Sequence, residues 1–268
     1  MDVIEKQLNA SPNNKKYFIT VFVIILLLFL WSLSTIQLED MGVNGWQIAT
    51  SIMEGIISPD VELLFNVTSD GVLSLLVETI SIAFLGTLIG SILAIPLAFL
   101  SAANIVPKPI ASLTKLLLIA IRTIPALVYG LMLIRVTGAG AFAGVLTIAL
   151  ISIGMLSKLL ADAIENLDTS VLESMTSIGC TTIEKIRFGI LPQLFSIFLS
   201  IIIYRFDMNL REASVLGLVG AGGIGAPLIF AMNSYRWTEV GAILIGLMIL
   251  ILAVELFSNR IRTKLVRG

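Results

Sequence analysis

The sequence predicts an all-α membrane protein with about six transmembrane helices, and three observations carry that prediction. Of its 268 residues, 57% are hydrophobic and only 13% charged, against roughly 45–50% and 25% in soluble domains. Mean hydropathy is +1.02, so most of the chain cannot be kept in water. Apolar runs of about 20 residues, enough for a helix to cross a hydrocarbon layer of about 30 Å, recur near Tyr17–Ile36, Leu76–Leu100, Leu116–Val136, Ala141–Ala161, Ile190–Phe206 and Val240–Phe257.

The first run follows Lys15 and Lys16. It exceeds the 7–15 residues or so of a signal-peptide core and no small-residue cleavage site follows it, so it is expected to be an anchor. Between it and the second run, Gln37–Glu78 holds seven acids, Glu39, Asp40, Glu54, Asp60, Glu62, Asp70 and Glu78, and no Lys or Arg. Lys and Arg near span ends stay on the inner side, and they cluster at Lys15 and Lys16, at Lys108 and Lys115, at Lys158, Lys185 and Arg187, and at Arg260, Arg262, Lys264 and Arg267. Six spans with both termini cytoplasmic in a bacterial inner membrane accommodate these clusters and put the acidic segment outside. Arg135, Arg205, Arg211 and Arg236 then fall on the outer side, against the rule. The expected organisation is a tail, anchor and acidic external segment over 1–75, followed by a core domain over 76–268.

Within the external segment, Ile48, Ile52 and Ile56 recur every four residues behind Trp46, a helix suited either to the membrane surface or to a solvated loop. Gly86 and Gly90, and again Gly140 and Gly144, stand four apart and are read as close helix contacts. Composition excludes further functions. There is no His, which removes imidazole bases and ligands, and no metal site is expected. The one cysteine, Cys180, cannot form an internal disulfide. A net charge of −1 gives no basic field for nucleic acid.

After the fourth run comes a polar connection, residues 165–192, too polar to span and too patterned to be a tether. Asp168 or Thr169 can cap a helix carrying Val171, Leu172, Met175 and Ile178 on one stripe, which Gly179 can end in a left-handed conformation. Thr181 or Thr182 can start a second helix through Glu184, Lys185 and Arg187, and Pro192 fits the first turn of the fifth span. Glu173-Ser174-Met175, Gly179 and Leu191-Pro192, so spaced, resemble the Glu-Ala-Ala loop of permease subunits in type I ATP-binding-cassette importers. Ser174 and Met175 stand where that family prefers Ala, and Gly189 where it prefers Ile. The resemblance implies that this connection is the coupling helix, seated in a groove on an ATPase subunit.

Gly220, Gly222 and Gly225 read superficially as a dinucleotide fingerprint, but no strand-turn-helix context surrounds them. Irregular backbone at the outer membrane face, tolerated only where protein buries it or where it lines a cavity, is the physical reading, and with Gly223 it makes a candidate gate. Tyr204–Leu228, with Arg122–Gly130 in the third run, resembles phosphonate importer permeases, whose relatives also carry phosphite, and more loosely the methionine permeases. The likeness runs from about Glu78 to the C-terminal end. It implies a homodimer with two ATPase subunits inside and a solute-binding protein outside, in a lipid membrane. No G-x-x-x-x-G-K-[ST] loop is present, so the chain is expected to carry no cofactor, with ATP and Mg held by the partner. Path or gate candidates are Arg122, Pro125, Arg205, Asp207, Asn209 and Arg211. Arg122 can equally be a snorkelling side chain, and the alternating charges after Tyr204 can simply neutralise one another. An embedded enzyme using Asp162 and Glu165, or Glu173 and Glu184, and a sensor or scaffold are the readings from other classes.

Overall fold

The computed structural model describes residues 15–35, 45–66, 68 and 71–267, and among these every regular element is helical. The chain forms two compact units, 1–49 and 50–268. In the first, α1 (Lys15–Thr35) has 21 residues, none buried, and is about 31 Å long at 1.5 Å per residue. It coincides with the expected anchor. Residues 1–14 of the expected cytoplasmic tail, and residues 37–44, 67, 69 and 70 of the acidic segment, lie outside the described residues. Helix α2 (Gly45–Ile57) bridges the two units in sequence, and the short α3 (Val61–Phe65) follows it.

In the second unit the long helices are α4 (Val72–Ser101), α7 (Ala141–Glu165), α10 (Leu191–Gly217) and α12 (Trp237–Arg267). With α1 they make, among the described residues, five helices long and apolar enough to cross a membrane, or six when the bent pair α5 (Lys108–Thr123) and α6 (Ala126–Thr137) is counted as one span. The central contact is between α4 and α7, which run parallel. A methyl group on Gly86 would sit 2.6 Å from the Cβ of Ile148, and one on Gly90 2.6 Å from the Cβ of Ser152. Lipid tails are as apolar as leucine, so helices associate by close packing, for which small residues are needed. One turn further on, the Ser157 hydroxyl donates to the Ala94 carbonyl at 3.2 Å. Helix α10 packs across this pair, with Leu194 and Phe198 against Ala98 and Ile164 at one end and Leu210 and Ala213 against Ile82 and Ile148 near the other.

The third span is broken, where the sequence reading had one continuous run. Its halves meet at 83°, because Pro125 lacks an N–H and forces the preceding residue out of the helical region; Ile124 is extended (φ −87°, ψ 124°). Carbonyls freed at the break are recaptured locally. The Tyr129 hydroxyl reaches across to the Ile121 carbonyl at 3.0 Å and the Thr123 hydroxyl donates to Ala120 at 2.7 Å.

The fifth span also differs. One helical rod runs from Thr182 to Gly217, far beyond Phe206. Pro192 therefore lies inside it, and a π turn over Lys185–Ile190 precedes the proline, with Leu191 N–H bonding Ile186 rather than the carbonyl four residues back. Widening the turn relieves the clash between a proline ring and the preceding turn. Helix α2 takes neither expected position alone: its Gly55 is buried against the backbone of Trp237, and Gly241 against that of Gly55. Thus Thr50–Ile57 docks on the start of α12, where the Asp60 N–H also bonds the Thr238 carbonyl at 3.0 Å.

A bulky residue in the α4–α7 contact has nowhere to go. Gly90→Leu is expected to cost about 1–3 kcal/mol or more, read as a lower melting temperature of the detergent-solubilised protein, whereas Gly45→Ala, with open space around it, leaves melting unchanged.

Candidate functional site

Three places depart from plain helix packing: the connection after α7, the polar seam of α10 and the glycine loop after it. In the connection, α8 (Thr169–Ser177) is capped at both ends. Asp168 accepts from the Ser170 N–H at 3.0 Å, and that bond holds the Asp168 carboxyl below the usual carboxylate range. At the other end Gly179 has φ +85°. Its N–H bonds the Thr176 carbonyl and the Cys180 N–H bonds Met175, both at 3.0 Å, the two bonds of a Schellman closure. Thr181 and Glu184 then form a reciprocal capping box opening α9 (Thr182–Glu184). Of the sequence-predicted residues here, Glu173 lines a cleft with Thr176, Lys185 and Ile190, Ser174 bonds back to Ser170 at 2.8 Å, and Leu191 and Pro192 follow the π turn.

Met175 and Gly189 meet. A methyl group at Gly189 would lie 2.6 Å from the Met175 sulfur, and Gln193 donates to the Gly189 carbonyl at 2.8 Å. Two of the three departures from the Glu-Ala-Ala pattern are therefore complementary: a longer side chain on α8 fills the notch left by a smaller residue on the rod. Sequence spacing could not reveal this, since the residues sit on different elements.

The polar seam lies inside α10, and this corrects its expected place beyond the fifth span. Arg205, Asp207 and Asn209 are buried. Arg205 Nη2 bonds Glu212 Oε2 at 3.0 Å, and Arg211 bridges Asp207 at 3.1 Å and Glu255 at 3.0 Å. Asn209 donates to the Thr87 and Ser152 hydroxyls, each at 2.7 Å, tying α10 to α4 and α7. The Arg205 Nε, Asp207 Oδ1 and Asn209 Oδ1 atoms have no protein partner. Opposite charges two helical turns or one turn apart thus neutralise one another within the span, as a buried charge in a membrane requires. Glu255, Thr87 and Ser152 were invisible to sequence reading because they come from other helices.

The glycine loop is held between the starts of α4 and α7. Gly220, Gly222 and Gly223 have φ of +93°, +81° and +73°, the left-handed region that favours glycine. Methyl groups at Gly222 and Gly223 would each lie 2.6 Å from a neighbour, the Ala141 N–H nitrogen and the Thr79 hydroxyl oxygen. That hydroxyl accepts from the Ile224 N–H at 3.0 Å, and the Gly140 N–H bonds the Gly220 carbonyl at 2.9 Å. Gly225, opening α11 (Gly225–Asn233), packs on Ser214 and Gly217. Gly144 faces Ala221 of this loop, while Gly140 has φ +136° and open space around it, so it serves the loop instead of a helix contact. Arg122 is exposed in the last turn of α5, and Pro125 opens α6.

Two of the four acids considered for an embedded enzyme, Glu165 and Glu184, have structural work. Glu165 accepts from the Ala103 N–H and from Lys115 Nζ, both at 2.8 Å, and Glu184 is the capping-box acid.

Residues 86–268 match the family described as binding-protein-dependent transport system inner membrane component. A phosphite transport system permease protein of Stutzerimonas stutzeri is 35% identical over 70% of this chain and 68% of its own length. A phosphate-import permease protein of Mycolicibacterium smegmatis is 37% identical over 70% of this chain, which spans 36% of that relative. Among solved structures, an inward-facing form of the MetNI methionine ABC transporter superposes with a TM-score of 0.63 at 19% identity, over 72% of this chain and 95% of that one. At that identity the likeness concerns the fold.

If Met175 and Gly189 are one fitted pair, Gly189→Ile alone is expected to destabilise by about 1–3 kcal/mol, and adding Met175→Ala to recover most of that loss. Thermal melts of the two single variants and the double variant measure the coupling.

Proposed function

Because this chain belongs to the family of binding-protein-dependent transport system inner membrane components, a multi-pass transport permease, we propose that it forms the translocation path of an ATP-binding-cassette importer for a phosphorus oxyanion: phosphonate, phosphite or phosphate. The likeness to a phosphite permease over 188 residues supports the substrate class. The observation that carries the mechanism is the doubly capped helix Thr169–Ser177, locked to the rod that becomes α10. A displacement delivered to it by a partner moves the span, because neither end of the helix is free to unwind.

In this reading residues 166–190 and both termini face the cytoplasm, and the glycine loop faces outward as the gate. Two copies pair around the path, two ATPase subunits dock on the coupling helices with ATP and Mg, and an external solute-binding protein delivers substrate. ATP hydrolysis belongs to the partner, which leaves this chain a transport subunit rather than an enzyme. Methionine is a weaker choice of substrate, since that likeness is one of fold.

The reading is tested at Gly179. Its left-handed backbone is surrounded by open space, so Gly179→Val acts through the backbone alone, at a cost of about 1–2 kcal/mol. Uptake of phosphite or methylphosphonate by cells should fall at least tenfold, with the protein still in the membrane, while Gly179→Asn retains transport. Normal uptake by the valine variant would remove the coupling role.

A further inference from the structure

Between α5 and α7 lies a cleft of about 320 Å³ lined by Ser101, Lys115, Arg122, Lys158, Ala161 and Asp162, with Leu118 and Ile119. Three cations from two helices converge on it, against Asp162 and the Glu165 that pairs with Lys115 at 2.8 Å. Among the described residues neither Arg122 nor Lys158 forms an ion pair, and both are exposed.

Their depth makes this unusual. Helix α7 ends at Glu165, where the connection begins. Lys158 stands seven residues before it, about 10 Å further along the helix, and Arg122 lies opposite Gly154, about 16 Å along. Arg122 is therefore set back from the end of α7 by about three turns of helix. An exposed cation without an ion pair, set back along a spanning helix, is unfavourable against lipid unless it meets water or a counter-charge. The Arg122 stem is moreover held in a prepared seat: a methyl group at Gly154 would lie 2.7 Å from its Cγ. A snorkelling side chain follows lipid toward the interface, whereas this one is packed on a helix and shares a cleft with Lys158. Both cations are accounted for if the cleft is wet and receives an anion.

We propose that the cleft bounded by Lys115, Arg122, Lys158 and Asp162 is a weak binding site for a phosphate-type oxyanion. The guanidinium fork matches tetrahedral oxyanion geometry with paired donors, and Lys158 supplies a second positive charge on the opposite wall. With Glu165 neutralising Lys115 and Asp162 offsetting one cation, one positive charge remains for the guest. The cleft is larger than a small oxyanion, so waters share it. A weak, hydrated site suits hand-off, since a transported ion must bind well enough to enter and loosely enough to leave. Placing the site on the inner half of the transport route rests on the importer reading; the anion site itself rests on the cleft.

The test uses the full chain with its ATPase subunit, without the external protein, in phosphatidylcholine nanodiscs. Radiolabelled inorganic phosphate and methylphosphonate are titrated by equilibrium dialysis. Saturable binding is expected, weakened at least tenfold by combined Arg122→Gln and Lys158→Gln, and unchanged by Lys108→Gln outside the cleft. Retention of the ATPase subunit reports folding, and Lys158→Gln alone, an exposed change, is the second variant should the double one be lost. In a parallel arm with phosphatidylglycerol, native mass spectrometry counts bound lipid. Loss of soluble-anion binding in the variants assigns the site to a free oxyanion, and selective loss of the anionic lipid assigns it to a headgroup. If the variants alter neither soluble-anion nor lipid binding, the proposal is overturned. Wild-type uptake with unaltered binding in the variants sinks the cleft and spares the importer reading; absent uptake with an intact cleft does the reverse.

Discussion

Hydrocarbon offers no hydrogen-bond partner to a peptide group, so each residue within the membrane must satisfy its backbone inside the protein. For most of this chain the helix does that unaided. The informative places are those where it fails. At Pro125 the freed carbonyls are met by Tyr129 and Thr123. Before Pro192 the ladder shifts to a π turn. In the glycine loop, Thr79 and Gly140 supply the missing bonds. Each interruption survives because a specific neighbour completes it, and each lies next to a feature to which the proposals above give a role: the cleft between α5 and α7, the capped helix α8 and the glycine loop.

The same constraint explains the packing. Without a hydrophobic force between helices in lipid, α4 and α7 approach through Gly86 and Gly90, giving a platform on which α10 rides. Polar ties add specificity. Asn209 joins all three helices through Thr87 and Ser152, and Arg211 bridges α10 to α12 through Glu255. A displacement of α8 therefore meets a connected body: α8 is fitted to the rod through Met175 and Gly189, and the rod is tied to its neighbours near its far end.

The coupling connection was the most legible part of the candidate site, because its determinants are local. Asp168, Gly179, Thr181 and Glu184 cap by bonding within a few residues of themselves, and the structure shows those bonds. The charged stretch after Tyr204 was misplaced beyond the span for a related reason. A hydropathy window counts Arg205, Asp207 and Arg211 as polar, but Arg205 pairs with Glu212 and Arg211 with Asp207 and Glu255, and the last of these pairs requires knowing which helix lies alongside.

By itself the sequence determined that this is an all-helical membrane protein, where its spans lie within several residues, and that a capped helix-glycine-helix connection follows the fourth span. These follow from hydropathy, helical periodicity and short-range hydrogen bonding, which act along the chain. Only the tertiary structure decided the break at Pro125, the continuation of the fifth span to Gly217, the pairing of Met175 with Gly189, and the convergence of Lys115, Arg122 and Lys158 on one cleft. Those depend on contacts between residues distant in sequence, or on whether a neighbour is present to satisfy an interrupted backbone. No pattern along a single helix encodes either.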